Sequence, residues 1–201
     1  MDLSSTVAIA ETIHGWMTRR ELEWLYETAS SLRPGGTWVE LGIWKGRSFF
    51  TVAMGLPRGS KLVAVDSFPP TVAALPFVPS RDWVRDHFHA VLKTVQRLRE
   101  DLSIEIVCRD TAEAGSLFAD GSMDVVWFDA DHSSAGLARD FSAWIPKVKP
   151  GGLLCGHDYN HGFAGLVQLV DEVFPERAIV PETSIWQVQK GNAIRSVALT
   201  G

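Results

Sequence analysis

The sequence predicts an α/β fold, an open and mostly parallel sheet covered by helices on both faces. Two observations carry this. Short, nearly continuous apolar runs alternate along the chain with segments of helical period, as strands buried on both faces and their crossover helices require. The pattern then changes past Pro175, where two short strand-like segments follow one another without a helix between them.

The runs Thr37–Leu41, Leu62–Val65, Ile104–Cys108, Val125–Phe128 and Leu153–Cys155 read as five buried parallel strands. Helices are expected over Ser48–Met54, Ser80–Arg99, Ala135–Val148 and Phe163–Val173. In the third of these, Leu137, Phe141, Trp144 and Val148 share one face. Thr18-Arg-Arg-Glu21 has the form of a capping box and opens a helix with Leu22, Leu25 and Ala29 on its inner side. Arg177–Val180 and Ser184–Gln189, joined by Pro181-Glu182-Thr183, form a terminal antiparallel hairpin at the sheet edge. The result is a Rossmann-like open sheet of seven strands. Residues 1–35 form a helical segment packed on a domain spanning 36–201, a single domain overall. Ser67–Pro79, rich in proline and apolar residues, is either a crossover loop or a lid.

Composition narrows the partners. In 201 residues, 46% are hydrophobic, 21% are charged and the net charge is −5. That balance gives no general attraction to nucleic acid or to anionic membranes, so a small molecule is the expected partner. No apolar run approaches the length of a membrane span, and Met1–Ala10 does not have the form of a secretion signal, so the cytoplasm is the expected location. Cys108 and Cys155 fall in predicted strands and are expected as reduced core thiols. The N-terminal helices and edge strands offer surfaces for a homodimer.

The chemistry is concentrated at the strand ends, where open α/β sheets bind ligands. The first strand runs into Glu40-Leu-Gly42-Ile-Trp44-Lys-Gly46-Arg-Ser48. Its G-x-x-x-G spacing differs from the dinucleotide G-x-G-x-x-G, and the chain contains no G-x-x-x-x-G-K-[ST] phosphate loop. Asp66, followed by Ser67, ends the second strand, where a carboxylate can accept the hydroxyls of a ribose. Asp110, followed by Thr111, follows the third, where a carboxylate can receive an adenine amino group. With Glu40, these acidic groups suit a positively charged adenosine compound better than a phosphorylated one. Each has a plainer alternative, because an Asp after a strand often caps the next helix. Asp129 ends the fourth strand with His132 three residues on, and His157-Asp158-Tyr159-Asn160 ends the fifth. Converging there, these side chains could bind a divalent ion or only cap a helix and a turn.

The motifs E-L-G-x-x-x-G-x-S, V-D-S-F, F-D-A-D-H and K-P-G-G-L-L-C-G-H-D-Y resemble those of class I S-adenosylmethionine methyltransferases. The nearer resemblance, from about Trp16 to Trp186, is to small-molecule O-methyltransferases of macrolide-sugar and cephamycin-pathway type. It implies S-adenosylmethionine bound by Glu40, Gly42, Trp44, Gly46, Ser48, Asp66, Ser67, Asp110, Thr111 and Asp129. It further implies Mg2+ or another divalent cation on Asp129 and Asp158, with His132 as general base and a small-molecule hydroxyl as acceptor. His157 is the third metal candidate. It stands where the sugar enzymes carry Glu, and Tyr159 stands where the catechol type carries Asn; Asn160 is also within reach. The alternatives are a metal-independent methyltransferase and a non-catalytic module that binds the adenosine cofactor. Among the eight tryptophans, Trp38, Trp127 and Trp144 are expected in the core, Trp44 against the cofactor, and Trp16 beneath the site or at a subunit contact. His87 and His89, two positions apart on a predicted helix, do not share a face and are expected to meet solvent, and His14 and His161 have no convincing partner in sequence.

Overall fold

The computed structural model describes residues 1–68, 81–191 and 194. From residue 69 onward, the crossover or lid segment therefore lies outside the described residues. The strands are β1 (Thr37–Leu41), β2 (Lys61–Val65), β3 (Ser103–Val107), β4 (Met123–Phe128), β5 (Val148–Gly156), β6 (Ala178–Ile179) and β7 (Trp186–Gln189). They form a seven-stranded sheet in the order β3-β2-β1-β4-β5-β7-β6. The first five run parallel, and β7 pairs antiparallel with both β5 and β6. The expected sheet and terminal hairpin are both present.

Alternation along each strand divides the core in two. Trp38, Leu62, Ala64, Val125, Trp127 and Cys155 face one side. There they meet helices α1 (Leu3–Ala10), α2 (Arg19–Ser30), α3 (Arg47–Gly55) and α4 (Arg81–Leu98). Val39, Leu41, Val63, Val65, Val126, Phe128 and Leu154 face the other side. There they meet the short α5 (Thr111–Ala114), α6 (Ser134–Trp144) and α7 (Ala164–Val173). Fully buried Trp144 satisfies its indole by donating to the Thr111 carbonyl at 2.7 Å.

Two boundaries in particular differ from expectation. The helix expected to reach Val148 stops at Trp144, and a 3-10 turn over Ile145–Lys147 leads directly into β5. Pro146 explains the stop, since it has no N–H to continue the helical ladder. Cys108, expected in a buried strand, is exposed: β3 ends at Val107 and Arg109 N–H already turns back to the Val107 carbonyl. Cys155 is buried as expected, and both thiols are free.

Strand order explains where a site forms. The chain leaves β1 toward β2 and β3, then crosses back to place β4 on the opposite side of β1, opening a crevice at their carboxyl ends. Backbone pairing continues one residue past the strands. Asp66, Gly42, Asp129 and His157 donate to Val107, Leu41 or its neighbours in an unbroken row, through Asp66 N–Val107 O (3.1 Å), Gly42 N–Val65 O (2.9 Å), Asp129 N–Leu41 O (2.9 Å) and His157 N–Phe128 O (3.1 Å).

Gly42 is the tightest point of that row. It has φ +85°, and a Cβ there would lie 2.1 Å from the Asp129 carbonyl oxygen. The close approach is therefore to the protein's own backbone across the crevice. Gly42→Ala is expected to lose at least about 3 kcal/mol of folding stability, combining left-handed strain with overpacking. Urea unfolding measures it.

Candidate functional site

The first half of the site is the loop between β1 and α3. Gly42, Trp44 and Gly46 all have positive φ, so the chain folds sharply before α3 begins. Asp66 holds this turn together: its Oδ2 accepts from Ile43 N (2.9 Å) and Trp44 N (3.2 Å), and its Oδ1 accepts from Phe68 N (2.6 Å). The carboxylate expected to meet a ribose is thus also the clamp of the loop. Ser67 beside it is exposed.

Glu40 lies beneath the loop, fully buried, with one oxygen accepting a short hydrogen bond from the Ser48 hydroxyl of α3. Its other oxygen, Oε2, is buried with no hydrogen-bond partner among the described residues, as is the Trp44 indole nitrogen. Burial pushes the Glu40 carboxyl well above its ordinary range; Ser48 opposes this, and Asp129 and Asp66 add to it. A cationic ligand at this point would relieve the same crowding. Helix α3 starts at Gly46 with no side-chain cap. Trp44 lies under the exposed ring of Trp16, with centroids 5.4 Å apart, and His14 meets Trp16 edge-on at 5.9 Å. Asp110 caps α5 by accepting from Ala112 N and Glu113 N, the plainer of its two sequence readings, while its Oδ2 lies 3.4 Å from Arg139. Thr111 donates to the buried Asp140 at 2.7 Å.

The second half lies across the crevice. His132 Nε2 is 2.8 Å from Asp158 Oδ2 and 3.5 Å from Asp129 Oδ1. The nitrogen is buried, yet its N–H is aimed along neither contact, so the attraction is ionic rather than a formed hydrogen bond. Phe163 covers the His132 ring at 4.8 Å. Asp158 reaches this position with φ +60°, a left-handed conformation that Asp tolerates better than most residues. Burial disfavours a charged His132, but Asp129 and Asp158 outweigh it and lift the imidazole to about 9. The same contacts outweigh burial at Asp158 and hold its carboxyl well below the usual range.

Ligand atoms of Asp129, His132 and Asp158 all lie within 4.8 Å of one another. The two carboxylates suit a divalent ion such as Mg2+ or Mn2+, so Asp129 and Asp158 fit the implied metal, with the His132 ring beside them. Both His132 and His157 approach these two carboxylates. His157 is buried one step behind: its Nδ1 lies 3.4 Å from Asp158 Oδ1 and 3.7 Å from Asp129 Oδ1, and its Nε2 lies 3.2 Å from Glu21 Oε1. Tyr159 does not join the group, because its hydroxyl donates to Asp171 and accepts from Arg177. Asn160 Oδ1 accepts from Gly162 N, and its Nδ2 is 3.4 Å from Asp158. His87 and His89 are exposed on α4. The sequence reading missed Phe163 and the second role of Glu21. An aromatic beside a histidine 31 positions away leaves no local signal, and Glu21 was explained by its capping box.

The shifted groups set the pH response of the metal-free protein. His132 and His157 are raised to about 9 and about 11, so their stabilisation is complete below about 6.5 and is lost as pH rises through those values. Glu21, where His157, Ser184 and Thr18 outweigh burial, is lowered to about 2; its stabilisation is complete above about 4.5 and is lost on acidification. Stability with chelator present is therefore expected to peak between about pH 4.5 and 6.5. Thermal unfolding across pH 3–10 measures this, and His132→Gln is expected to flatten the decline toward pH 9.

The family described as "Methyltransferase domain" matches residues 39–159, from inside β1 to the end of the Asp158 turn. Among solved structures, a protein from Corynebacterium glutamicum superposes with TM-score 0.68 at 14% identity, covering 94% of this chain and 90% of that one. A SAM-dependent O-methyltransferase from Thermotoga maritima gives 0.64 at 13% identity, over 98% of this chain and 74% of its own. The O-methyltransferase TomG from Streptomyces achromogenes, solved with SAM and involved in tomaymycin synthesis, gives 0.60 at 12%, over 95% and 91%. Likeness at these identities establishes the shared fold, and the match over residues 39–159 establishes the family. The chain belongs to the methyltransferase-domain family and has the class I S-adenosylmethionine-dependent methyltransferase fold.

Proposed function

We propose that this protein transfers the methyl group of S-adenosylmethionine to a hydroxyl of a small molecule, with His132 as the group that takes the hydroxyl proton. One observation carries the reading: the loop after β1 and the Asp129–His132–Asp158 cluster are in direct contact, since the Gly42 backbone rests on the Asp129 carbonyl. A donor in the loop and an acceptor at the cluster would therefore be neighbours, which in-line displacement requires. The O-methyltransferase neighbours of the same fold support the choice of oxygen as acceptor atom. An open cleft of about 500 Å3 beside the cluster, lined by Trp16, Glu21, His157, Asp158 and the 182–184 turn, has the size of a small-molecule site.

S-adenosylmethionine would supply a sulfonium-activated methyl group. Buried Glu40 would face its positive charge, and the Trp44 ring would flank it. Asp129 and Asp158 keep the His132 ring in place and stabilise the imidazolium formed when it accepts the acceptor's proton. The same carboxylates would hold a divalent ion, which would lower the pKa of a hydroxyl bound there. The charge that Asp129 and Asp158 now direct toward the His132 proton would then be shared with that ion.

This last point separates metal-assisted from metal-independent transfer. With chelator, kcat/KM is expected to rise about tenfold per pH unit and level off near pH 9, where His132 loses its proton. With Mg2+, the same rise is expected at lower pH, and a profile unchanged by Mg2+ would sink the metal-assisted form. His132→Ala is expected to lower turnover by about 10²–10⁴-fold while S-adenosylhomocysteine affinity, measured by calorimetry, stays within about twofold of wild type. Wild-type protein that gives no heat with S-adenosylhomocysteine would overturn the whole reading.

A further inference from the structure

Glu21 belongs to α2, outside the residues matched by the family, and a capping box accounts for only half of it. The box uses Oε2, which accepts from the Thr18 backbone N–H (2.8 Å) and hydroxyl (3.0 Å). The box itself needs nothing more of its glutamate. Glu21 is nonetheless 3% exposed. Its Oε1 accepts from both the backbone N–H and the hydroxyl of Ser184, each at 2.9 Å, and lies 3.2 Å from His157 Nε2. One carboxylate thus joins the start of α2, the turn before β7 and the histidine that ends β5.

His157 carries the connection inward. Its Nδ1 faces Asp129 Oδ1 and Asp158 Oδ1, and His132 meets the same two carboxylates from the other side. The described contacts form a continuous path, Glu21 to His157 to the carboxylate pair to His132. We propose that Glu21 is a positioning residue of the active site: its contact with His157 fixes that ring, which in turn fixes the carboxylate pair that sets His132. This rests on the reading of His132 as the reacting group. A carboxylate behind a site histidine is a recurring means of fixing ring orientation, and its loss commonly weakens metal affinity by about 10–100-fold.

The test uses the full chain with histidines labelled with 15N, as wild type, Glu21→Gln and Thr18→Ala. Thr18→Ala removes the hydroxyl half of the cap and leaves the Thr18 N–H bond and both Oε1 contacts of Glu21 in place, so it controls for a weakened helix start. In Glu21→Gln, the ring resonances of both His157 and His132 are expected to shift, although Glu21 does not touch His132; in Thr18→Ala neither is expected to move. Manganese affinity by calorimetry is expected to fall at least about tenfold in Glu21→Gln only. His132 resonances that superpose on wild type in Glu21→Gln, or that move equally in Thr18→Ala, would overturn the proposal. Should Glu21→Gln not fold, Glu21→Asp, which keeps the charge and shortens the reach, is read against the same two outcomes. Wild-type protein that binds no manganese would count against the divalent ion alone, and the histidine spectra would still decide for or against Glu21.

Discussion

The contact between Gly42 and the Asp129 carbonyl is the point on which the rest of the site depends. At the switch point of the sheet, two loops leave β1 and β4 in directions set by the crossover, and they must pass without a side chain between them. A residue with a Cβ would push the β1 loop away from the end of β4 and open the seam. The left-handed backbone at Gly42, Trp44 and Gly46 follows from the same constraint, because the loop must turn at once to start α3. Asp66 then locks that turn through the N–H groups of Ile43 and Trp44. Geometry at the seam thus fixes both where a donor can lie and how near the Asp129–His132–Asp158 cluster comes to it.

Packing so many carboxyl groups into one crevice is electrostatically costly, and the protein meets the cost differently on its two sides. Among the described residues Glu40 has no basic partner, so burial favours its neutral form and Ser48 satisfies one oxygen. Across the seam, His132 and His157 lie between Asp129 and Asp158 and share the charge. The two sides thus differ in what offsets their charge: a hydroxyl and burial at Glu40, two imidazoles at Asp129 and Asp158.

The strand cores, the order of strands and helices, and the terminal hairpin were legible in the sequence because each is a local pattern of burial. The glycine loop and the acidic strand ends were legible for the same reason, since strand ends are where the chain must change direction. What escaped was contact between distant segments. His157 was grouped with Asp129 and Asp158 from the sequence, and its Nδ1 lies beside both, but its second contact, with Glu21, has no local signal. Asp110 offered two readings, and the backbone supplies the cap, with the N–H groups of Ala112 and Glu113 on its Oδ1. Glu21 carries a complete local explanation, which concealed a partner 163 positions away at Ser184.

That last pairing bears on how the chain can be divided. The matched segment from 39 to 159 contains the loop, the seam and the cluster, yet the carboxylate behind His157 comes from α2 and its hydrogen-bond donor comes from the turn before β7. The two flanks meet one another behind the site like the ends of a belt. Transplanting the central segment into another scaffold, or trimming the chain to it, would carry over the loop, the seam and the Asp129–His132–Asp158 cluster and still leave the buckle behind.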